Sequence, residues 1–412
     1  MTMNECAPIS GTGQKSDSSA RTDFHYVRTP SQLAALAKTL LNTPRFAVDV
    51  ESDSFYHYYE KVCLLQVSAG GVDYVVDPLQ VSDLSVLREP FARPDIEKVF
   101  HAATNDLDLL FWRHDIRVKG LFDTMVAARV VGHARLGLSV LVEHYCGVHL
   151  EKRFQRYDWS RRPLSHEHLD YARLDTHYLL RLRDALWEEL GTLNRHEQAL
   201  EEMRLVEDRE PVKRVFSPES CLRIRGARQL DDIGKRVLRA LFVARDREAR
   251  RRDVAPFRVV RDDVLLAIAR DCPTSDQALQ RVRGTPRHMP PALRSLLLIA
   301  VEEGLRQQEP VEPTAPVRSS ARRGAGRQDH VRTQARLSRL KDWRRAQAEI
   351  EQVPADVVVT NAVLHTLAHH PPRSMEQLEH LPGVRRWQVE RYGEAWLRLL
   401  SGRSGRTPGE DE

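Results

Sequence analysis

Cysteine is scarce in this 412-residue chain, and the five present, Cys6, Cys63, Cys146, Cys221 and Cys272, are odd in number, scattered and never in a Cys-x-x-Cys pair. That spacing argues against a disulfide framework or a structural zinc site. Long apolar runs are missing too. Nothing approaches the roughly 20 residues that cross a bilayer, and the opening MTMNECAPISGTGQKSDSS lacks the apolar centre of a secretion signal. The expectation is a cytoplasmic protein with no membrane attachment. Net charge is small, +5, but its placement is lopsided. Lys235–Arg252 holds eight Lys/Arg against two Asp/Glu, and Arg318–Arg345 ten against two, so the remainder is net acidic, at −9. An acidic body tethered to two basic stretches suits a polyanionic ligand, although Arg-rich helices are as often solvated faces with no ligand.

The length implies two or three domains. Residues 1–22 are polar, rich in Gly, Ser and Thr, and without periodicity, which predicts a disordered tail. From there the pattern is that of an α/β domain over 23–205. Phe24–Val27 reads as a short strand, and Ser31 as the cap of a helix through Leu41 with Leu33, Leu36 and Leu40 on its apolar face. Phe46–Glu51, Val62–Ser68, Val72–Val76 and Ile96–His101 read as strands. The second and third of these are joined by Ala69, Gly70 and Gly71, a connection that favours a hairpin. A hairpin within the set implies a mixed sheet with helices against it and excludes a purely parallel one. Helices are expected at Asp106–Arg113, Thr124–Val131, Ser139–Tyr145 and, as one long element, Glu167–Leu190.

The C-terminal half contains a duplication. Val259–Gly284 lies over Val358–Gly383 without a gap, at a constant offset of 99, with Val264/Val363, Leu265/Leu364, Ala269/Ala368, Ser275/Ser374 and Gly284/Gly383 among the identities. These are core and turn residues, so the match reports shared fold more than shared chemistry. Two helical regions, 215–305 and 332–402, follow from it. They are separated by a Pro/Arg/Ser/Gly-rich basic linker, 306–331, with its last clear helical periodicity resuming near Arg336, and a polar tail closes the chain at 403–412. The second copy, with LKDWRRAQA, PPRSMEQLEHLPGV and VERYGEAWL, closely resembles the helicase-and-ribonuclease-D C-terminal (HRDC) domain; the first copy resembles it more weakly. The resemblance implies a small helical module that helps to position nucleic acid or other domains.

The residues that carry chemistry lie in the α/β domain. In FAVDVES, strand alternation places Asp49 and Glu51 on one face and Val48 and Val50 on the other. Two carboxylates side by side repel, and make sense where a divalent cation holds them deprotonated. Alone this pair says little. Asp106, at the start of the helix after EKVFHA, projects from the end of the sheet, and Tyr171 and Asp175 share a helix face at i, i+4. Four carboxylates and a phenol are what two-ion phosphodiester hydrolysis requires. Tyr171, protonated at neutral pH, would orient the attacking water instead of acting as a strong base.

The ordered set VDVES, KVFHAATNDLDLL, FDTM and YDWSRRPLSHEHLDYARLDTHYLL resembles the ribonuclease D family of DEDD exonucleases, in the subgroup with Tyr in its third motif. By type and place, Asp49 and Glu51 match the first motif, Asp106 the second, and Tyr171 with Asp175 the third. The resemblance implies a ribonuclease-H-like mixed sheet flanked by helices, followed by two small all-α HRDC-like domains. It also implies two divalent ions, Mg²⁺ or Mn²⁺, bound through Asp49, Glu51, Asp106 and Asp175, and 3′-5′ trimming of RNA such as precursor transfer RNA.

Other residues receive plainer readings. Asp53 sits where the strand ends and is not expected to ligate, Asp123 reads as the N-cap of the Thr124 helix, and His365 with His369 as a surface pair without further ligands. His101 either contacts substrate or packs at its strand end. Arg156, Trp159 and Arg162, with Arg153, Phe154, Tyr157 and Arg161, form a basic aromatic group that can stack a terminal base or, for Trp159, simply fill the core. Competing functions are a DNA exonuclease and a catalytically silent RNA-binding scaffold; a monomer is expected.

Overall fold

The computed structural model of the protein describes residues 24–213, 215–312 and 327–401. Both expected polar tails and the middle of the basic linker lie outside the described residues.

The first domain opens with β1 (His25–Val27), α1 (Pro30–Leu41), β2 (Arg45–Ser52), β3 (Val62–Ala69) and β4 (Val72–Val76). Thr29, not Ser31, caps α1. Its hydroxyl accepts from Gln32 N while the Gln32 side chain accepts from Thr29 N, a capping box with Pro30 at the first helical position. The β3–β4 hairpin turns on Gly70 and Gly71 alone, with φ of +58° and +80°. Two successive left-handed residues are what a tight two-residue hairpin requires, and glycine reaches that region without a Cβ clash. Then come α2 (Arg88–Ala92), β5 (Glu97–Phe100), α3 (Thr104–His114), β6 (Leu121–Asp123), α4 (Thr124–Val131), α5 (Leu138–Cys146), α6 (His166–His177), α7 (Leu179–Thr192) and α8 (His196–Glu207).

The six strands lie in the order β1-β4-β3-β2-β5-β6, antiparallel at β4–β3 and β3–β2 and parallel elsewhere. This is the mixed sheet expected. One face carries Phe46, Val48, Leu65 and Val67 and packs on Leu33, Leu36 and Leu40 of α1. Burial of each such leucine stabilises the layer by about 2 kcal/mol. The other face carries Ala47, Val99 and Phe122 against α4, α5 and α7, and Leu64 and Val75 against Leu169 and Ala172 of α6. The two catalytic candidates on β2 share this second face.

The long helix expected over Glu167–Leu190 is two helices. The chain breaks at Tyr178 because α6 lies across β3 and β4, whereas α7 turns to pack on α4 and α5. Apolar periodicity continues through the break, so the pattern alone does not mark it. The short β6 and α2, and α8, were not anticipated either. The few residues of β6 and α2 give too little periodicity to register, whereas α8, at 12 residues, buries only Gln198, Ala199 and Met203 and so shows a narrow apolar face.

The first repeat comprises α9 (Asp232–Arg252), α10 (Pro256–Val259), α11 (Asp262–Asp271), α12 (Asp276–Arg281) and α13 (Pro291–Arg306). The second comprises α14 (Arg327–Glu351), α15 (Ala355–Val358), α16 (Asn361–His369), α17 (Met375–Glu379) and α18 (Arg386–Ser401). α14 starts inside the stretch read as linker, at Arg327 and Gln328, both good helix formers even where composition suggests a tether. The 99-residue offset is kept in three dimensions. Arg245 donates to Val260 O and Arg344 to Val359 O, both at 3.0 Å. Ser275 and Ser374 cap equivalent helices, and Gly284 and Gly383 turn at φ of +87° and +84°.

Candidate active site

Register builds the centre of the site. Asp49 pairs with Gln66 and Glu51 with Leu64 across β2 and β3, and a bulge between Glu51 and Ser52 ends the regular ladder just beyond. α6 crosses this face and brings Tyr171 and Asp175 over β2. Carboxylate oxygens of Asp49, Glu51 and Asp175 come within 4.8 Å of one another, and among the described residues no other trio of His, Cys, Asp or Glu does so. His365 and His369 are both exposed on the helix, which is the surface pair expected.

Asp106 sits in the first turn of α3, outside that tight trio yet close enough to share its field. Its approach is set by Asp123. The Asp123 carboxylate caps α4 by accepting from Met125 N and Val126 N, and it also accepts from Ala102 N and Ala103 N at 3.0 and 2.8 Å. One buried side chain thus ties the starts of α3 and α4 together and holds Ala102 at φ +61°, an uncommon conformation for a residue with a Cβ. The sequence motif FDTM revealed the cap but not this second attachment, because the partners lie 20 residues upstream.

Electrostatics follow from crowding. Burial raises the Asp49 pKa to about 6. Burial, and then the charges of Asp49, Asp175 and Asp106, push Glu51 well above the ordinary carboxylate range. Asp106 is raised by burial and by Asp49, Asp123 and Glu60, and Asp175 by burial and by Asp49. Such a set, all oxygen and mutually repelling, is the donor chemistry a hard divalent cation prefers, and the residues fit one. Tyr171 is raised by burial and by Asp175, Glu51 and Asp49, so its phenol keeps its proton. Its ring is held edge-on by Phe154 at 5.3 Å and by stacking near Trp159 at 6.3 Å.

The candidate substrate contacts separate into two groups. Trp159 is buried with Cys63, Leu64 and Leu169, so the core role takes its ring out of reach of a base. Arg162 is spent on a bidentate pair with Asp77 at 2.7 Å and on the carbonyl of Cys63. Both brace the wall behind Tyr171. His101 is largely buried and bonds Thr124 Oγ1 at 2.9 Å, and burial lowers its pKa. Arg156 is exposed, with its carbonyl accepting from Tyr56. Asp53 is fully buried and is taken up by Lys61, accepting from its backbone N at 2.7 Å.

Sequence reasoning missed how the repeats meet this domain. The loop after β2, which begins two residues beyond Glu51, is held by the first repeat. Asp253 Oδ1 accepts from Tyr58 N and Tyr59 N, both at 3.1 Å, Ala255 N donates to Tyr56 O, Arg258 donates to Phe55 O, and Tyr58 Oη donates to Asp246. His57 bridges Asp253 and Ser160. None of these pairs is close in sequence, and no local signal marks them.

The 3′-5′ exonuclease family matches residues 24–191, and the HRDC domain family matches 234–289 and 333–400. Exosome complex component 10 of Mus musculus is 35% identical over 268 residues, covering 63% of this chain but only 30% of that protein, so the chain corresponds to less than a third of it. The solved structure of Escherichia coli RNase D, described as an exoribonuclease involved in structured RNA processing, superposes with a TM-score of 0.64 at 26% identity, covering 92% of this chain and 99% of that one. Ribonuclease D of Acidiphilium cryptum is 30% identical over 388 residues, 92% of this chain and 93% of that protein. With that match spanning 92% of the chain and 93% of the relative, the chain belongs to the ribonuclease D family.

Proposed function

We propose that the protein is a hydrolytic 3′-5′ exoribonuclease that releases nucleoside 5′-monophosphates from RNA 3′ ends. Its substrates in this reading are precursor transfer RNA and other stable RNA precursors, and it works as a cytoplasmic monomer with two divalent ions, Mg²⁺ or Mn²⁺. The observation that carries the reading is the convergence of Asp49, Glu51 and Asp175 within 4.8 Å, with the charge of Asp106 and the protonated phenol of Tyr171 beside them. All five come from one chain, which supports a monomer. Among the described residues no helix is long and apolar enough to cross a membrane.

Divalent ions bound there would activate the attacking water and stabilise the leaving oxygen. The protein's own part is positional. Asp49 and Glu51 offer their oxygens from a rigid strand, Asp175 closes the clamp from α6, and Asp106 adds a fourth carboxylate from the α3 start. Tyr171, unable to act as a strong base while it holds its proton, donates or accepts one hydrogen bond and so aligns the nucleophilic water with the terminal phosphodiester. The basic stretches of the two repeats supply phosphate-neutralising charge, which favours a long polyanion over a mononucleotide.

The decisive experiment digests a 3′-extended transfer RNA beside a matched DNA, with Mg²⁺ or Mn²⁺, and identifies the product ends. Nucleoside 5′-monophosphates from the RNA 3′ end, lost in Asp49→Asn, are expected. Equal degradation of the DNA would replace this reading with a DNA exonuclease, and absence of both cleavage and Mn²⁺ binding would leave a silent scaffold.

A further inference from the structure

One buried polar side chain on the catalytic face has no assigned work. Gln66 is fully buried at the centre of β3, and neither its Nε2 nor its Oε1 has a hydrogen-bond partner among the described residues. A buried amide left in this state costs about 1–3 kcal/mol for each unmade group, so its presence calls for a reason.

Its sheet neighbours narrow the reason to one direction. Along β3, the residues on the same face are Leu64 and Ser68; across the ladders they are Val75 on β4 and Asp49 on β2. Leu64 and Val75 are apolar. Ser68 is committed elsewhere, with Oγ 2.6 Å from Asp73 Oδ1 and 2.8 Å from Thr176 Oγ1, and Asp73 Oδ2 takes Arg173 and His177 at 2.9 and 2.7 Å. That network is closed on itself. Asp49 is the one polar sheet neighbour left, and directly paired residues place their Cβ atoms about 5 Å apart, a gap a glutamine amide spans.

We propose that Gln66 is a positioning residue of the cation clamp, its Nε2–H donating to the Asp49 carboxylate when the site is loaded and fixing which oxygen Asp49 turns to the ion. A carboxylate ligand with a free outer oxygen can swing between one-oxygen and two-oxygen binding. A donor held in the sheet removes that freedom, and supports of this kind are worth about 10–100-fold in metal affinity. The amide also adds no charge to a centre that already holds four carboxylates, whereas a Lys or Arg there would compete with the cation.

This inference rests on the divalent-ion reading of the site, and its test separates the two. The full-length protein and its Gln66→Met and Gln66→Leu variants are compared by calorimetric titration with Mn²⁺ and by thermal unfolding in EDTA. Both variants should bind Mn²⁺ about 10–100-fold more weakly and should unfold in EDTA at the wild-type temperature or above it, because an apolar side chain removes an unmet polar group. A purely structural glutamine predicts the reverse. Mn²⁺ affinity within about twofold of wild type, or a variant that melts lower or fails to fold in EDTA, overturns the proposal, since the second result means that the amide is already partnered in the metal-free fold. If the unaltered protein binds no Mn²⁺, the reading of the site falls, and the role of Gln66 with it.

Discussion

The two helical repeats share a fold and dock in different ways. Asp253 and Gln352 stand 99 residues apart at the same point of their repeats, each a left-handed residue just after the long first helix, at φ +47° and +54°. In the first repeat that point grips the loop that follows β2 through the Asp253 carboxylate. In the second it lies against the back of the exonuclease domain, where the Gln352 carbonyl would sit 2.8 Å from a Cβ placed on Gly132. Around it, Arg195 donates to Val130 O, Val131 O and Glu351 O, and the Glu201 carboxylate accepts from Arg386 N and Trp387 N at the start of α18. Duplication preserved the packing residues and let the contact residues diverge. The first copy contacts the loop that follows β2, the second the α4 end and α8.

This contrast can be tested by turnover on a short single-stranded RNA, where distant RNA contacts contribute little. Asp49→Asn sets the floor. It should lower kcat by about a thousandfold or more while far-UV circular dichroism stays unchanged, and residual activity near wild type would mean that the acidic centre is not the site. Asp253→Ala should come next. Losing the acceptor for two backbone N–H groups and the His57 pairing destabilises the loop by about 1 kcal/mol, discounted because Asp253 is half exposed, and should cost roughly tenfold in kcat with little change in KM. Turnover equal to wild type would remove the functional distinction between the repeats. Glu201→Ala should be mildest. It unseats the α18 start, costing about 1 kcal/mol in thermal unfolding, and should leave kcat on the short RNA unaltered. A kcat loss matching that of Asp253→Ala would show that both repeats reach the site.

A smaller effect should appear with pH. Asp49 in the metal-free fold has a pKa of about 6, above its ordinary 3.8, so the folded state binds a proton that the unfolded state has released. The stability this contributes is complete below about pH 4 and is lost as pH rises through about 6. In EDTA, melting temperature should therefore decline between these values, less so in Asp49→Asn, and Mn²⁺ should reverse the decline by binding the deprotonated set. A profile identical in the variant would argue that Asp49 does not carry the strain, whereas changes confined to the repeats' surface charges should leave the slope alone.

Much of the exonuclease domain was legible because alternation on β2 is strict and its consequence geometric. Once Val48 and Val50 face α1, Asp49 and Glu51 must face α6. Asp106, Tyr171 and Asp175 were legible through motif order, and the Gly70-Gly71 hairpin through its turn chemistry. The capping residue of α1 was misplaced by two positions because Ser31 is by type the better cap, and only the reciprocal bond between Thr29 and Gln32 decides for Thr29. The break at Tyr178 was invisible because apolar spacing persists through it. Arg162 read as a substrate contact, and Trp159 stayed open between stacking a base and filling the core, because aromatic and basic residues near a motif read alike whether they face solvent or the interior.

The sequence by itself determined which side chains bear charge on which face of each element, since strand and helix periods are local properties of the backbone. It determined the duplication as well. Only the tertiary structure decided that Asp123 joins two helix starts, that one repeat holds the loop after β2 while its twin holds the back of the domain, and that Gln66 is paired with Asp49 across the sheet with no side-chain hydrogen-bond partner among the described residues. Those facts depend on contacts between residues far apart in the chain, where burial and unmet hydrogen bonds, not local period, set the energy.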